Sequence, residues 1–190
     1  MAYEEKRVTT AYYGTLPSNS PLLVPVPTAP GHQPQRLHTL AAYAFQPLAI
    51  AVKHDLGITL LVASGWRPHR WTSRAQYEMA LVKKYGSVAK GRLYLAFDSP
   101  HETGLAVDFG CGGLEPRSST IETQKRTPLF HWLVANADRF GWHPYKMEPW
   151  HFEHPLNLHA YQSGVADPLG PSELPFCEDG MCVEAPLDET

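Results

Sequence analysis

Two short groups of polar residues contain side chains that could hold a metal ion and carry out hydrolysis. His101 and Asp108 form the first group, and Glu148 and His151 form the second, further along the chain. Neutral imidazole nitrogens and carboxylate oxygens are ligands that suit zinc, and three protein ligands leave a fourth position for water. The two histidines and Asp108 therefore predict a metal site of the catalytic type, with Glu148 as a base beside it.

The backbone between the first two ligands must turn before they can meet. His101 and Asp108 are seven residues apart, so on one continuous strand their side chains would lie on opposite faces. Gly104 offers a break, with His101 on a turn and Asp108 within the strand that follows. A helix would also align residues seven apart, but Gly104 and its β-branched and aromatic neighbours argue against a helix here.

The second group differs from a helical zinc-binding motif because it contains a proline. Pro149 disfavours helical backbone at Glu148, so we expect Glu148 on a turn and His151 at the start of a strand. Zinc lowers the pKa of a bound water to about 7, and Glu148 can take its proton and return it to a leaving amine. Arg67 is the best candidate for binding a substrate carboxylate or the negative oxygen that develops during amide hydrolysis.

Apolar periodicity and turn residues predict the elements that position these groups. In order, they are a helix over 35–55, a strand over 58–63, a helix over 73–84, a strand over 105–109, a helix over 127–141 and a strand over 150–154. Pro47 either kinks the first helix or begins a second one. Ser73 and Gln76 have the form of a capping box at the start of a helix. The strand over 58–63 brings Arg67 just beyond its carboxyl end.

The composition favours one packed domain with flanking segments. The chain has 190 residues, 43% of them apolar and 11% aromatic, which supports a buried core. We expect a proline-rich arm over 1–35, the main domain over 36–165 and a tail over 166–190, in which Cys177 and Cys182 form either a disulfide or two reduced thiols. The net charge is −3 without a block of Lys or Arg, so nucleic acid is not an expected partner. Nothing in the composition indicates an oligomeric state.

Neither a secretory signal nor a membrane span is visible in the sequence. The first residues are polar, and Leu22-Leu23-Val24 is interrupted at once by Pro25 and Pro27. If the substrate lies outside the cytoplasm, in the cell envelope, we expect the protein to reach it by lysis, by a specialised export machine or after processing. Otherwise we expect a cytoplasmic protein.

The order and spacing of the motifs resemble the signature of the D-alanyl-D-alanine metallopeptidases. These are the VanY-like carboxypeptidases of the LAS group, which also holds lysostaphin and sonic hedgehog. The resemblance covers roughly residues 36–160. It is carried by Ser99-x-His101-x-x-Gly104-x-Ala106-x-Asp108, by Glu148-Pro149-Trp150-His151, by Ser64-Gly65-Trp66-Arg67 and by Gln76.

The resemblance implies an α+β fold, in which a small antiparallel sheet carries the zinc site and is flanked by helices. It also implies zinc as the cofactor and peptidoglycan stem peptides as the substrate, cut next to D-residues. By resemblance, the site comprises the zinc ligands His101, Asp108 and His151, the base Glu148, the substrate- or oxyanion-binding Arg67, and Ser99 and Gln76 on the substrate side. For Gln76, the capping role is a competing explanation.

The sequence departs from the family pattern at two places beside the predicted site. Pro68-His69-Arg70-Trp71 follows Arg67, where a shorter polar link is expected. Glu153 follows His151 in the second group, at a position where family members often carry Arg. Both changes could alter the substrate preference, and neither touches a predicted ligand.

These observations favour a zinc D,D-carboxypeptidase that hydrolyses the D-Ala-D-Ala bond of stem peptides. The close alternative is an endopeptidase that cuts within the stem or cross-link, as phage lysins and secreted antibacterial effectors do, and the lack of a visible signal favours it somewhat. A zinc-containing binding module is an alternative of another class, but binding alone does not require Glu148 and Arg67. A non-haem iron oxygenase also uses two histidines and a carboxylate, but the spacing of His101 and Asp108 is unusual for it.

Overall fold

The computed structural model describes residues 10–166 and, for the backbone alone, residues 177–178 and 181–182. Its α-helices are α1 (Thr39–Leu56), α2 (Arg74–Tyr85), α3 (Val88–Gly91), α4 (Ile121–Gln124), α5 (Pro128–Asn136) and α6 (Leu158–Ser163). Its strands are β1 (Leu23–Pro25), β2 (Arg36–His38), β3 (Val62–Ser64), β4 (Ala106–Phe109), β5 (His143–Pro144), β6 (His151–Glu153), β7 (Cys177–Glu178) and β8 (Met181–Cys182).

An antiparallel sheet with the strand order β3-β4-β6-β5 forms the centre of the fold. One face of the sheet is apolar: Phe109 of β4 contacts Phe152 of β6, and Phe45 of α1 stacks on Phe109 with ring centroids 6.1 Å apart. Because side chains alternate along a strand, Asp108 and His151 lie on the opposite face. The expected α+β fold, with a small antiparallel sheet flanked by helices, is confirmed.

Helix α1 begins later than its periodicity predicts. The apolar spacing predicts a helix from Gln35, but β2 occupies the next three residues and pairs with β1. The predicted start is therefore wrong, because a long-range strand pairing overrides the local pattern. The helix begins at Thr39, where Nδ1 of His38 accepts the Leu40 N–H at 3.2 Å and caps the first turn.

The proline within α1 starts no second helix. Pro47 is an exposed residue inside α1, which continues to Leu56 and ends at Gly57 in the left-handed region with φ +69°. The strand expected over 58–63 follows, but it is confined to Val62–Ser64 and is shifted towards Arg67. The helices predicted after Ser73 and Thr127 are present as α2 and α5, each with that residue as its N-cap.

The described part of the proline-rich arm, residues 10–35, packs against the rest of the chain through short strand pairings. β1 pairs with β2, and the backbone of Val62 bonds to Pro27 and to Ala29, each at 2.9 Å. Prolines border these pairings, as expected for edge positions. The buried side chains that this segment adds to the main core are Leu16, Leu23 and Val26. The domain boundaries at residues 35 and 165 stay predictions.

A second, smaller core lies beside the sheet and supports the loop after Arg67. Trp71, Tyr77 and Leu81 form its buried part, and the Trp71 and Tyr77 rings meet edge to face at 5.2 Å. Gly91 of α3 lies so close to Leu81 that an added Cβ would be 2.7 Å from the Leu81 Cβ. This packing fixes α2 and α3 against each other.

Among residues 10–166, no helix is both long and apolar enough to cross a membrane. Near the end of the chain, the backbones of β7 and β8 pair antiparallel, with Cys177 opposite Cys182. The side chains of these cysteines lie outside the described residues, so their bonding stays open.

Candidate metal centre

Two of the three predicted ligands are brought together by strand register. Asp108 of β4 is directly opposite His151 of β6, so the two side chains lie side by side on one face of the sheet. Both are buried. The distance from Asp108 Oδ1 to His151 Nδ1 is 3.0 Å.

The third ligand arrives from a turn in front of β4. His101 lies in a short 3-10 helix, Pro100–Thr103, which ends at Gly104 with φ +72°. A Cβ at Gly104 would lie 2.7 Å from the backbone nitrogen of His38, so both the φ angle and the space require glycine. The predicted break at Gly104 therefore exists, and it lets His101 and Asp108 converge.

The three facing ligand atoms form a nearly equilateral triangle. His101 Nε2 is 3.2 Å from His151 Nδ1 and 3.2 Å from Asp108 Oδ1, and the third side is 3.0 Å. Ligands held at about 2.0–2.1 Å in a tetrahedral zinc site are about 3.3 Å from one another. The three residues, all buried, can therefore hold a metal ion, and they leave one tetrahedral position for another ligand.

Each histidine is held through its other ring nitrogen. His101 Nδ1 lies 2.8 Å from the carbonyl oxygen of Gly65, and His151 Nε2 lies 3.3 Å from Oε1 of Glu153. For His101, the carbonyl places the proton on Nδ1 and leaves the lone pair of Nε2 directed at the triangle. Nδ1 of His151 faces the Asp108 carboxylate, so His151 offers a lone pair to the triangle once a metal displaces the proton on that nitrogen, and Glu153 then accepts the remaining proton on Nε2. A second group thus orients each histidine, as is usual for metal-ligating histidines.

The two histidines and Asp108 also shift one another's pKa. Burial would raise the pKa of Asp108, but the nearby histidines hold it well below its usual range. Burial would lower the pKa of His151, but hydrogen bonds to Asp108 and Glu153 and their charges raise it to about 10. Burial and the charge of Arg67 lower the pKa of His101. A metal ion binding here must therefore displace a proton from His151.

Glu148 lies on a turn, as Pro149 predicts. Its N–H donates to the Tyr145 carbonyl at 3.3 Å, and its own carbonyl accepts the His151 N–H at 3.0 Å. Burial raises the pKa of the Glu148 carboxyl to about 7. A carboxyl group that is half protonated near neutral pH suits a general base.

These groups line one cavity of about 560 Å³. Arg67, Ser99 and Glu148 line it together with His101 and His151, so five predicted site residues share one space. Arg67 follows β3 through Gly65, where an added Cβ would lie 2.5 Å from the Arg36 carbonyl oxygen. Glycine at that position therefore allows the close backbone approach that carries Arg67 to the cavity.

Gln76 is a predicted site residue that lies apart from the lining of this cavity. It is exposed on the first turn of α2, where its N–H is 3.2 Å from Ser73 Oγ. Its Oε1 accepts the backbone N–H of Thr72 at 2.8 Å and the Thr72 hydroxyl at 3.1 Å. The side chain thus reaches back over the helix start, although to Thr72 rather than to the predicted Ser73 N–H.

Two buried carboxylates that also line the cavity, Glu102 and Glu153, were not predicted as site residues. Glu153 contacts His151, and the signal for this was present, because residues two apart on a strand share a face. Glu102 accepts hydrogen bonds from Tyr12 at 2.8 Å and from His69 at 2.9 Å. No local pattern indicates that contact, because Tyr12 is distant in sequence.

The chain is similar to a family of carboxypeptidases and to two solved peptidase structures. Residues 34–155 match the family VanY, described as D-alanyl-D-alanine carboxypeptidase. No curated protein sequence matches the chain. Among solved structures, the LdcB LD-carboxypeptidase, described with the molecular basis of peptidoglycan recognition, is 23% identical with a TM-score of 0.55 and covers 80% of this chain and 78% of its own. A mutant of the vancomycin-resistance D,D-pentapeptidase VanY in complex with Zn(II) is 20% identical to this chain, with a TM-score of 0.48. The match covers 85% of this chain and 93% of the VanY chain.

Proposed function

The chain belongs to the VanY family of D-alanyl-D-alanine carboxypeptidases, and from that premise we propose that it is a zinc-dependent D,D-carboxypeptidase of peptidoglycan. Its substrate is the stem peptide, and the bond hydrolysed is the terminal D-Ala-D-Ala amide. The observation that supports this most strongly is the triangle of His101, Asp108 and His151 on the wall of the cavity that Glu148 also lines. In this proposal the protein acts on the cell envelope.

The donor set favours zinc over a hard cation. Two imidazoles and one carboxylate are the ligands of many catalytic zinc sites, whereas magnesium and calcium prefer oxygen ligands throughout. When bound, zinc supplies a water of pKa about 7 and a Lewis acid for the scissile carbonyl. His101, Asp108 and His151 would hold it.

Glu148 acts as the base in this mechanism. Its carboxylate takes a proton from the attacking water as the oxygen bonds to the carbonyl carbon, and it passes that proton to the leaving amine as the amide bond breaks. The products are the shortened stem peptide and free D-alanine. A pKa of about 7 allows Glu148 to accept and return the proton near neutral pH.

Arg67 and Ser99 bind the substrate in this mechanism. The Arg67 guanidinium is the cation for the terminal carboxylate, or for the oxygen on which negative charge develops, because charge-assisted pairs with carboxylates are strong. Ser99 lines the same cavity and offers a hydroxyl to the peptide. Gln76, given its contacts with Thr72, supports the start of α2 rather than touching the substrate.

An endopeptidase that cuts within the stem or cross-link is the second candidate. The cavity volume of about 560 Å³ lies within the range of pockets that enclose drug-sized ligands, so the cavity has room for stem residues on both sides of an internal bond. Its lining also continues past Arg67 to Trp71 and Arg92. A purely binding role would need neither Glu148 nor its buried position.

Defined muropeptides separate these functions. The purified protein is incubated with a pentapeptide stem and with a cross-linked dimer, each with zinc and with a chelator, and the products are identified by mass spectrometry. Release of one D-alanine from the pentapeptide, only with metal, supports the carboxypeptidase. Internal cleavage of the dimer supports the endopeptidase, and zinc-loaded protein that cleaves neither substrate contradicts both.

A further inference from the structure

A buried carboxylate lies directly behind the metal ligand His151. Glu153 is only 5% exposed and lies on the same face of β6 as His151. Its Oε1 is 3.3 Å from His151 Nε2, and its Oε2 accepts the backbone N–H of Thr10 at 2.5 Å. Both carboxylate oxygens are therefore held, one by the ligand and one by the amino-terminal segment, which we define as residues 10–16.

These two contacts determine which nitrogen of His151 faces the metal site. Nδ1 of His151 faces the Asp108 carboxylate at 3.0 Å, and Nε2 faces the Glu153 carboxylate at 3.3 Å. When a metal ion takes the lone pair of Nδ1, the remaining proton of the imidazole lies on Nε2, where the Glu153 carboxylate accepts it. With neither contact, the ring could rotate or take the other tautomer, and the site would lose a correctly directed ligand.

The contact with Thr10 fixes Glu153 in turn. A carboxylate held by one hydrogen bond keeps rotamer freedom, whereas the second bond from a backbone N–H restricts it. The donor belongs to the backbone, so the identity of the side chain at this position is secondary. The amino-terminal segment thereby reaches the metal site through two successive contacts.

We propose that Glu153 is a positioning residue that sets the tautomer and orientation of His151 and so strengthens metal binding, and that the Thr10 N–H holds it in place; this rests on the proposed zinc peptidase function. Glu153 also lines the cavity, but both of its carboxylate oxygens are engaged, one by His151 and one by the Thr10 N–H, so its effect acts through His151.

The test measures zinc affinity without any substrate. Zinc dissociation constants are determined by competition with a chromophoric chelator for wild type, Glu153→Ala and Glu153→Gln. We expect Glu153→Ala to weaken zinc binding about 10–100-fold, the range for partners of metal-ligating histidines. Glu153→Gln retains an acceptor oxygen and should recover part of the affinity. The cobalt-substituted proteins should differ in the visible absorption of the metal, which a purely structural role would leave unchanged.

Thr15→Val is the matched control. The Thr15 hydroxyl also ties the amino-terminal segment to a buried carboxylate, because it donates to Glu102 Oε2 at 2.7 Å. Its removal leaves the bond from the Ser99 N–H to Glu102 Oε1, which caps the turn that carries His101. The variant should therefore lower thermal stability and leave zinc affinity within about threefold. Equal losses of affinity in Thr15→Val and Glu153→Ala would overturn the proposal, as would an unchanged affinity in Glu153→Ala.

A second pair of variants isolates the backbone donor. Thr10→Pro removes the N–H, whereas Thr10→Ala keeps it, and both lack the hydroxyl. We expect a weaker zinc affinity in Thr10→Pro alone, towards the lower end of the same range, and equal affinities would contradict the role of Thr10. Since no substrate is used, a protein that binds zinc in this pattern yet cleaves no muropeptide would contradict only the proposed function.

Discussion

The metal-binding strands, by which we mean β4 and β6, and the outer wall of the cavity are built in different ways. Asp108 and His151 are buried on neighbouring strands, and their separation is set by the register of β4 and β6. The outer wall, which we define as Tyr12, Arg67, Trp71 and Ser99, comes from loops and from the amino-terminal segment. The sheet therefore fixes the positions of the metal ligands Asp108 and His151, whereas loops that are distant in sequence shape the space for the substrate.

This difference predicts two kinds of mutational effect. Strand pairs in a packed core tolerate little displacement, so changes at the metal-binding strands should remove catalysis for every substrate. Loop residues on a scaffold commonly determine what is bound, so changes in the outer wall should alter substrate affinity and leave the metal in place.

Metal removal should have the largest effect. A chelator, or the substitution His151→Ala, should abolish hydrolysis of every muropeptide that the wild type cleaves, because three ligands are the minimum for a catalytic zinc site. Zinc added back should restore the chelated wild type and leave the variant inactive. Activity is measured by release of the amine product, and metal content by atomic emission. Full activity in metal-free protein would contradict the role of the strands.

Glu148→Gln should have the next largest effect. The amide has the same shape but accepts no proton, so kcat should fall about 10²–10⁴-fold while zinc content stays at the wild-type value. Glu115→Gln, which changes an exposed acid beside His32, serves as the control and should keep full activity. A zinc-loaded Glu148→Gln protein with wild-type kcat would remove Glu148 from the mechanism.

The metal ligands were predictable because the signals that identify them are local. Residue types nominate His101, Asp108 and His151, and Gly104 and Pro149 indicate where the backbone must turn. These glycine and proline preferences act within a few residues, so they can be read without knowing the fold.

The outer wall was harder to predict because its contacts are long-range. Tyr12 reaches Glu102 across 90 residues, and nothing near either residue indicates the pairing. The same cause explains the error at the start of α1, where β1 pairs with residues that have a helical pattern. Arg67 was found through its motif, whereas Trp71 was noted only as a departure from the family pattern. Tertiary packing therefore limits the prediction of substrate contacts more than that of the ligands.

The raised pKa of Glu148 predicts that the free energy of unfolding depends on pH. Burial raises this pKa from 4.5 to about 7, so between these values the folded protein holds a proton that the unfolded chain has lost. The free energy of unfolding should therefore fall as pH rises through this window, by about 3 kcal/mol in total. Urea unfolding of chelated wild type and Glu148→Gln at pH 5 and pH 8 isolates the contribution. An equal pH dependence in the two proteins would contradict it.

Arg67→Ala changes the outer wall, so it should alter substrate binding rather than metal binding. Losing a charged hydrogen bond to a substrate carboxylate costs about 1.5–3 kcal/mol, so KM should rise about 10–100-fold for stems with a free terminal carboxylate. Zinc affinity should not change. A stem amidated at its terminus should lose the difference between wild type and variant, and Arg67→Lys should recover part of the affinity. If kcat alone fell, on both stems, Arg67 would instead act on the oxyanion.

Tyr12→Phe should have the smallest effect, and it tests how independent the two regions are. The Tyr12 hydroxyl donates to Glu102 Oε2 at 2.8 Å, and Thr15 and His69 hold the same oxygen. Because those two partners remain, removing the hydroxyl should lower the free energy of unfolding by only about 1 kcal/mol, as judged by urea unfolding. Zinc affinity should stay at the wild-type value, since Glu102 contacts no ligand nitrogen. A parallel loss of zinc affinity would mean that the outer wall also positions the metal ligands, so the two regions would not be independent of each other.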